Sequence, residues 1–282
     1  PNACEIPAAM ANRSYLYSLS NRPTSYADRP ETISGLSEWP YDVPFIYRLL
    51  MSGDPQLCAS LVSDGLDDDE PGSRTRLYAI SSPFEPGFER VKRFLDILRV
   101  AVAVPLPTAS PAPAAPQPVS FLERVKRLFS PAKKPGSSIP VQAATTSYAP
   151  PSDLLVAMDE TLAFLEAHRD AYLLLETIEL DIMSESGEAA LKASVEQELA
   201  RCQHAGAALD ALPADIAEAA RQLKTASVQQ AAEPLDVLFG LRLDNEFDST
   251  RSGATEYPLG LEWSDVLYFE LFNRSEYEAR QR

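Results

Sequence analysis

The sequence predicts an α+β fold: a helix-rich composite domain with a small sheet, interrupted by a long Pro/Ala-rich disordered insertion. Three observations carry this expectation. Strand-like alternation and amphipathic helical stripes occur together before residue 100. Helical periodicity dominates after residue 152. Between the two, eleven of the 24 prolines fall in the 47 residues from Pro105 to Pro151, among Ala, Ser, Thr and Gln. Such a composition offers too little apolar surface to offset the entropy of ordering the chain.

The elements follow in order. Ser14 to Ser20 alternates aromatic and small residues, the two-residue period of a strand. Asn21 to Glu31 is polar and reads as a loop. Tyr41-Asp-Val-Pro44 opens a helix, because a first turn tolerates proline's missing N–H, and Ile46, Leu49 and Leu50 then share a face. Asp54-Pro55 has the form of an N-cap followed by a first-turn proline, which predicts a short helix over Pro55 to Val62. Arg76 to Ser82 is a second strand. Phe88, Val91, Leu95 and Leu98 fall on one stripe, the mark of an amphipathic helix.

After the tract, Ser152 caps a helix running to about His168, with Leu155, Met158, Leu162 and Leu165 inward. Tyr172 to Met183 holds an apolar run long enough for a buried strand. Ser186 to Ala211 is a long helix rich in Ala, Glu and Leu. Pro213 starts another, to about Thr225. Leu235 to Leu243 reads as a strand or a helix end. Ser264 caps a C-terminal helix carrying Val266, Leu267, Phe269, Leu271 and Phe272.

Residues 10–100 thus form an N-terminal α+β part, and 101–152 a Pro-rich linker with a short basic amphipathic helix at 119–130. Residues 153–282 form an acidic, helix-rich C-terminal part. The N-terminal part is small for a core of its own. A long insertion costs closure entropy that grows only logarithmically with its length. The two flanks are therefore expected to pack together. Met10-Ala-Asn12 reads as a natural start, so Pro1 to Ala9 is left out of the expected fold.

The formal net charge is −16, and its distribution matters more than its total. Residues 1–104 carry 10 Lys+Arg against 14 Asp+Glu, residues 105–152 carry 5 against 1, and residues 153–282 carry 10 against 26. So negative a C-terminal part repels phosphate backbones, which argues against nucleic acid, and steers toward a basic protein partner. Cys4, Cys58 and Cys202 are far apart and in no metal-binding or disulfide pattern, as in a reducing cytoplasm. No apolar run reaches spanning length, and no charged-then-apolar leader stands at the start.

Sequence signals for chemistry are few. No GxGxxG, GxxxxGK[ST], GxSxG or HExxH occurs, and no cofactor is expected. His168 and His204 read as ordinary helix residues, and Cys202 and His204 point apart at this helical spacing. Asp64 to Glu70 lacks the ligand spacing of a calcium loop and reads as an acidic turn. Glu176, Glu179 and Asp181 form the best carboxylate cluster. On a strand Glu179 and Asp181 share a face and suit acid–base work or a divalent cation, whereas on a helix Glu176 and Glu179 are neighbours.

The most specific feature is the basic helix. Phe121, Leu122, Val125, Leu128 and Phe129 form one apolar face, flanked by Arg124, Lys126, Arg127, Lys133 and Lys134. Phe121, Arg124, Val125, Arg127, Leu128 and Phe129 are the candidate binding residues, for a protein groove or for weak peripheral contact with an anionic membrane. The segment also echoes an earlier one: Leu122-Glu-Arg-Val-Lys-Arg-Leu-Phe129 against Phe88-Glu-Arg-Val-Lys-Arg-Phe-Leu95. The copy is expected either to compete for the groove holding the first helix, to dock on the acidic C-terminal part, or to be a chance echo.

Met10-Ala-Asn-Arg-Ser-Tyr-Leu-Tyr17, Ser37-Glu-Trp-Pro-Tyr-Asp-Val-Pro44 and the following Tyr47-Arg-Leu-Leu50 resemble the opening of an uncharacterised bacterial family. The resemblance covers about residues 10–99 and, more faintly, Gly260-Leu-Glu-Trp263. It implies a bacterial cytoplasmic protein and assigns no catalytic residue. Two functional expectations stand. One is a non-catalytic, acidic protein-binding module, for example an immunity protein for a secreted toxin. The other is an enzyme or cation-binding protein using the carboxylates Glu176 to Asp181.

Overall fold

The computed structural model describes residues 12–67, 74–103, 152–245 and 257–282. Its centre is a five-stranded antiparallel sheet in the order β2-β1-β7-β6-β3. The strands are β1 (Arg13–Leu19), β2 (Ile33–Pro40), β3 (Gln56–Ala59), β6 (Tyr78–Pro83) and β7 (Tyr172–Glu176). A two-stranded hairpin, β4 (Leu66–Asp67) with β5 (Arg74–Thr75), stands apart from it. Residues from both sides of the Pro-rich tract therefore share one sheet, and β7 lies in its middle. The fold is α+β, with seven α-helices among the described residues.

Side-chain alternation gives the sheet two buried faces. Leu16, Ile80, Leu173 and Leu175 meet the helices on one side. Tyr15, Tyr17, Leu19, Ala79 and Leu174 face the other. The helical layer contains α1 (Phe45–Met51), α2 (Phe84–Ala103), α3 (Ser152–Ala167), α5 (Glu188–Ala211) and α6 (Ile216–Val228). A short α4 (Ile178–Asp181) follows β7, and α7 (Arg274–Arg280) ends the chain. Helix α1 packs on α2 and α5, and α2 packs on α6. The approach of α1 to α2 is set by Gly87: a Cβ there would lie 1.8 Å from the Leu50 carbonyl oxygen.

Three expectations need correction, and one strand had no expectation. Residues 56–59 form a strand rather than a helix, because their pairing with β6 (Gln56↔Ser81 to Ala59↔Tyr78) overrides the local cue of Asp54-Pro55. The apolar run from Tyr172 leaves the sheet after Glu176 and turns into α4. Strand β2 carried no sequence signal: it is an edge strand holding Ser, Gly and Pro, with Leu36 as the extra residue of a bulge opposite Leu16 and Tyr17. No helix begins at Ser264. Residues 258–273 run without regular structure: Leu259 and Leu261 join the helix-side core, and Leu267, Phe269 and Leu271 pack on the second sheet face by two-residue alternation. The terminal helix starts later, where Asn273 and Glu276 form a capping box.

Candidate functional site

The three predicted carboxylates sit at the end of β7, yet they do not converge. Glu176, the last residue of β7, points with Tyr15 and Tyr17 toward the second sheet face and is fully buried. Its Oε1 accepts from the Leu61 backbone N–H at 2.7 Å, and its Oε2 accepts from the Ser60 hydroxyl at 2.9 Å. Burial pushes this carboxyl up to about 7, against the pull of the Leu61 and Ser60 hydrogen bonds and of the Arg29 charge. Arg29 is buried too. Its Nη1 donates to the Leu61 carbonyl at 3.0 Å, and its guanidinium lies 4.1 Å from the Tyr26 ring and 4.9 Å from that of Tyr277. Carboxylate and guanidinium thus hold the two polar groups of one residue, Leu61. Nothing in the polar loop 21–31 announced Arg29 as a core residue.

Glu179 lies on α4 and turns to β1. Its Oε2 accepts from the Arg13 backbone N–H at 3.1 Å and from the Tyr15 hydroxyl at 3.0 Å. Burial, followed by the neighbouring Glu179 charge and hydrogen bond, raises the Tyr15 phenol well above its usual range. Asp181 turns a third way, accepting from the Thr177 hydroxyl at 2.7 Å. Because α4 is helical, Glu179 and Asp181 do not share the face a strand would give them. Among the described residues no three His, Cys, Asp or Glu side chains converge as a metal site would need.

Asp181 alone of the three lines a cleft of about 290 Å³, with Tyr41, Asp42, Glu185, Glu198 and Arg201 among its walls. Burial pushes its carboxyl up to about 6. Glu198 is held by two arginines, Arg48 (Nε to Oε1, 2.6 Å) and Arg201 (Nη1 to Oε2, 2.9 Å). Arg48 also reaches Asp42 at 3.3 Å. Tyr41 stands at the rim, 72 % exposed, on left-handed backbone at φ +62°. The histidines lie elsewhere in contacts of their own: His168 stacks on Phe164, with ring centroids 4.0 Å apart, and His204 Nε2 is 3.0 Å from Asp236. Cys202 is buried, which pushes its thiol up and leaves it no nucleophile.

The candidate binding residues Phe121, Arg124, Val125, Arg127, Leu128 and Phe129 lie outside the described residues. What their counterparts do in α2 is visible. Phe88, Val91, Phe94 and Leu95 are core residues. Arg90 Nη2 reaches Asp210 at 2.8 Å, and Arg93 Nη2 donates to the carbonyls of Leu212 and Pro213 at 2.9 and 3.2 Å. The alignment places Phe121 opposite Gly87. A side chain at that position would run into the Leu50 carbonyl. Competition of the copy for the α2 groove is therefore sterically disfavoured.

Residues 20–127 match the model of an uncharacterised family, Domain of unknown function (DUF7822). The match covers less than half of the chain. It begins after Asn12-Arg-Ser-Tyr-Leu-Tyr17 and includes Trp39-Pro-Tyr-Asp-Val-Pro44. It contains β2 on one side of the sheet and β6 with β3 on the other, whereas the two strands between them, β1 and β7, fall outside it. No curated protein and no solved structure matches the chain. No helix among the described residues is long and apolar enough to cross a membrane.

Proposed function

We propose that this protein is a non-catalytic, acidic protein-binding module that captures a basic protein partner, an immunity protein for a secreted toxin being its concrete form. The observation that carries this is the charge of residues 153–282, with 26 Asp+Glu against 10 Lys+Arg. Much of that excess is on exposed positions of α3, α5 and the chain after residue 261. A field of this sign raises encounter rates with cations and repels nucleic acid and anionic lipid. The contacts of Glu176 and Glu179 support the same reading, since both are occupied in holding strands together.

The test is a tagged pull-down from the native cell, followed by stopped-flow association with the partner it identifies. A partner of high isoelectric point is expected, with an association rate that falls tenfold or more between 50 and 500 mM salt. Enrichment of acidic partners only, or a salt-independent rate, refutes it.

A second reading, acid–base or cation chemistry in the cleft, rests on Asp181, which lines the cleft and whose carboxyl burial pushes up to about 6. Calorimetric titration with Ca²⁺, Mg²⁺ and Mn²⁺ tests its cation form. A heat of binding lost in Asp181→Asn supports it, and no heat with any of the three removes it.

A further inference from the structure

The strap of residues 258–273 has two faces of different character. Its inner side chains hold it to the sheet: Leu267 is 5 % exposed, and Phe269 and Leu271 pack beside it. Its backbone is tied down as well. The Ser264 N–H donates to the Leu36 carbonyl at 3.0 Å, and the Tyr268 N–H donates to Glu38 Oε2 at 2.6 Å. The Tyr17 hydroxyl donates to the Phe269 carbonyl at 2.6 Å. The strap crosses β2 so closely that a Cβ on Gly35 would lie 2.8 Å from the Asp265 carbonyl oxygen.

The outer face presents Val266, 73 % exposed, and Tyr268, 55 % exposed. Neither is needed for the inner packing. Around them the strap carries three exposed carboxylates, Glu262, Asp265 and Glu270, and no Lys or Arg between Tyr257 and Asn273. A fourth, Glu160 on α3, faces Glu262, and burial followed by that neighbour raises the Glu262 carboxyl. Two cations lie against this face: Arg13, whose guanidinium is 5.2 Å from the Tyr268 ring and is matched by an ion pair with Glu38, and Arg280, whose guanidinium is 3.5 Å from the Phe272 ring. The Tyr268 ring is thus already a surface that receives a guanidinium.

We propose that the outer face of the strap, with Val266 and Tyr268 as apolar anchors inside a rim of Glu160, Glu262, Asp265 and Glu270, is the docking surface for a basic protein segment in which aliphatic side chains alternate with arginine or lysine. The proposal rests on the reading of the protein as a module for a basic partner, and adds where that partner sits. Charge complementarity selects the occupant. An aromatic and a branched aliphatic side chain supply the desolvated centre of such an interface, and the carboxylates supply its rim and its specificity. A second copy of a chain at −16 would bring like charges together, and an anionic membrane would be repelled.

The test is fluorescence anisotropy with a labelled dodecapeptide of alternating arginine and leucine, at 50 and 300 mM salt, on the full chain. Two strap variants are used, Val266→Ser with Tyr268→Ser, and Asp265→Asn with Glu270→Gln. Val228→Ser, at an exposed valine on α6, is the control. The apolar variant is expected to weaken binding tenfold or more at both salt concentrations. The charge variant is expected to weaken it severalfold at 50 mM and little at 300 mM. Circular dichroism should show all three folded, and if the apolar variant is not, the charge variant decides. Binding that persists unchanged in both strap variants, or falls equally in the control, overturns the docking surface while leaving the basic-partner reading standing. Absence of peptide binding at either salt concentration fails that reading itself. A concentration-dependent dimer by light scattering, lost in the apolar variant, assigns the surface to a second copy and overturns the proposal.

Discussion

Replacing Glu176 by glutamine should flatten the dependence of stability on pH. The side chain is fully buried, and burial moves its carboxyl from 4.5 to about 7. The folded protein therefore keeps this proton up to about pH 7, whereas the unfolded chain releases it near 4.5. Between those values the folded state binds more protons, so the free energy of unfolding falls as pH rises. The contribution is fully present below about pH 4.5 and gone above about pH 7. A displacement of this size is worth about 3 kcal/mol in all, of which about 2.5 kcal/mol falls between pH 5 and pH 8. Glutamine keeps an acceptor for the Leu61 N–H and does not titrate in this range. Asp181, pushed up to about 6, is untouched and adds the same slope to both proteins. Urea unfolding at pH 5, 6, 7 and 8 should show the native protein losing about 2.5 kcal/mol more than Glu176→Gln. Parallel curves would mean that Arg29 and the two hydrogen bonds keep Glu176 ionised throughout, and would refute the reasoning.

Two further perturbations test the packing. Gly87→Ala forces α1 and α2 apart at the Leu50 carbonyl. The expected cost is about 3 kcal/mol, read by calorimetry as a fall in Tm of about 6–12 °C, and an unchanged Tm would contradict it. Glu198→Ala strips Arg48 of its closest partner, from a pair in which both side chains are largely buried, and leaves only the more exposed Asp42 at 3.3 Å. It should cost about 3–5 kcal/mol, whereas Arg48→Met with Glu198→Leu should come within about 1 kcal/mol of the native protein in urea unfolding. If the single and double replacements cost the same, desolvation of Arg48 is not the cause.

The longer helices of this fold were readable because each is long enough to show its stripe, whereas the short α4 and α7 were not. Phe88, Val91, Leu95 and Leu98 stand on α2 as their spacing implies, and α5 differs from expectation by two residues at its start. The strands β2 and β3 were not readable, since neither has enough apolar residues to show a period and each is defined by its pairing with another strand, β1 or β6. Leu267, Phe269 and Leu271 alternate like a strand, yet apolar residues between them mimic a helical face, and only the sheet beneath decides. The carboxylate cluster was visible by its density at 176–181, but its meaning depended on the turn at Thr177. That turn sends Glu176, Glu179 and Asp181 to Leu61, to β1 and to the cleft. Arg29 left no trace in composition, because the rings that cover it come from Tyr26 and from Tyr277 at the far end of the chain.

The position of β7 has a consequence for synthesis. A ribosome that has delivered residues 12–103 has made four of the five strands of the sheet, with β1–β2 on one side and β6–β3 on the other and no strand to join them. Two unpaired edges stay open until residue 176 emerges, and such edges are where chains pair wrongly with each other. The long Pro-rich stretch between the halves has the composition of a segment unable to offer a competing strand. A chain cut within that stretch should therefore give two fragments that are poorly ordered apart and recover the sheet when mixed, with β7 as the strand one half lends to the other.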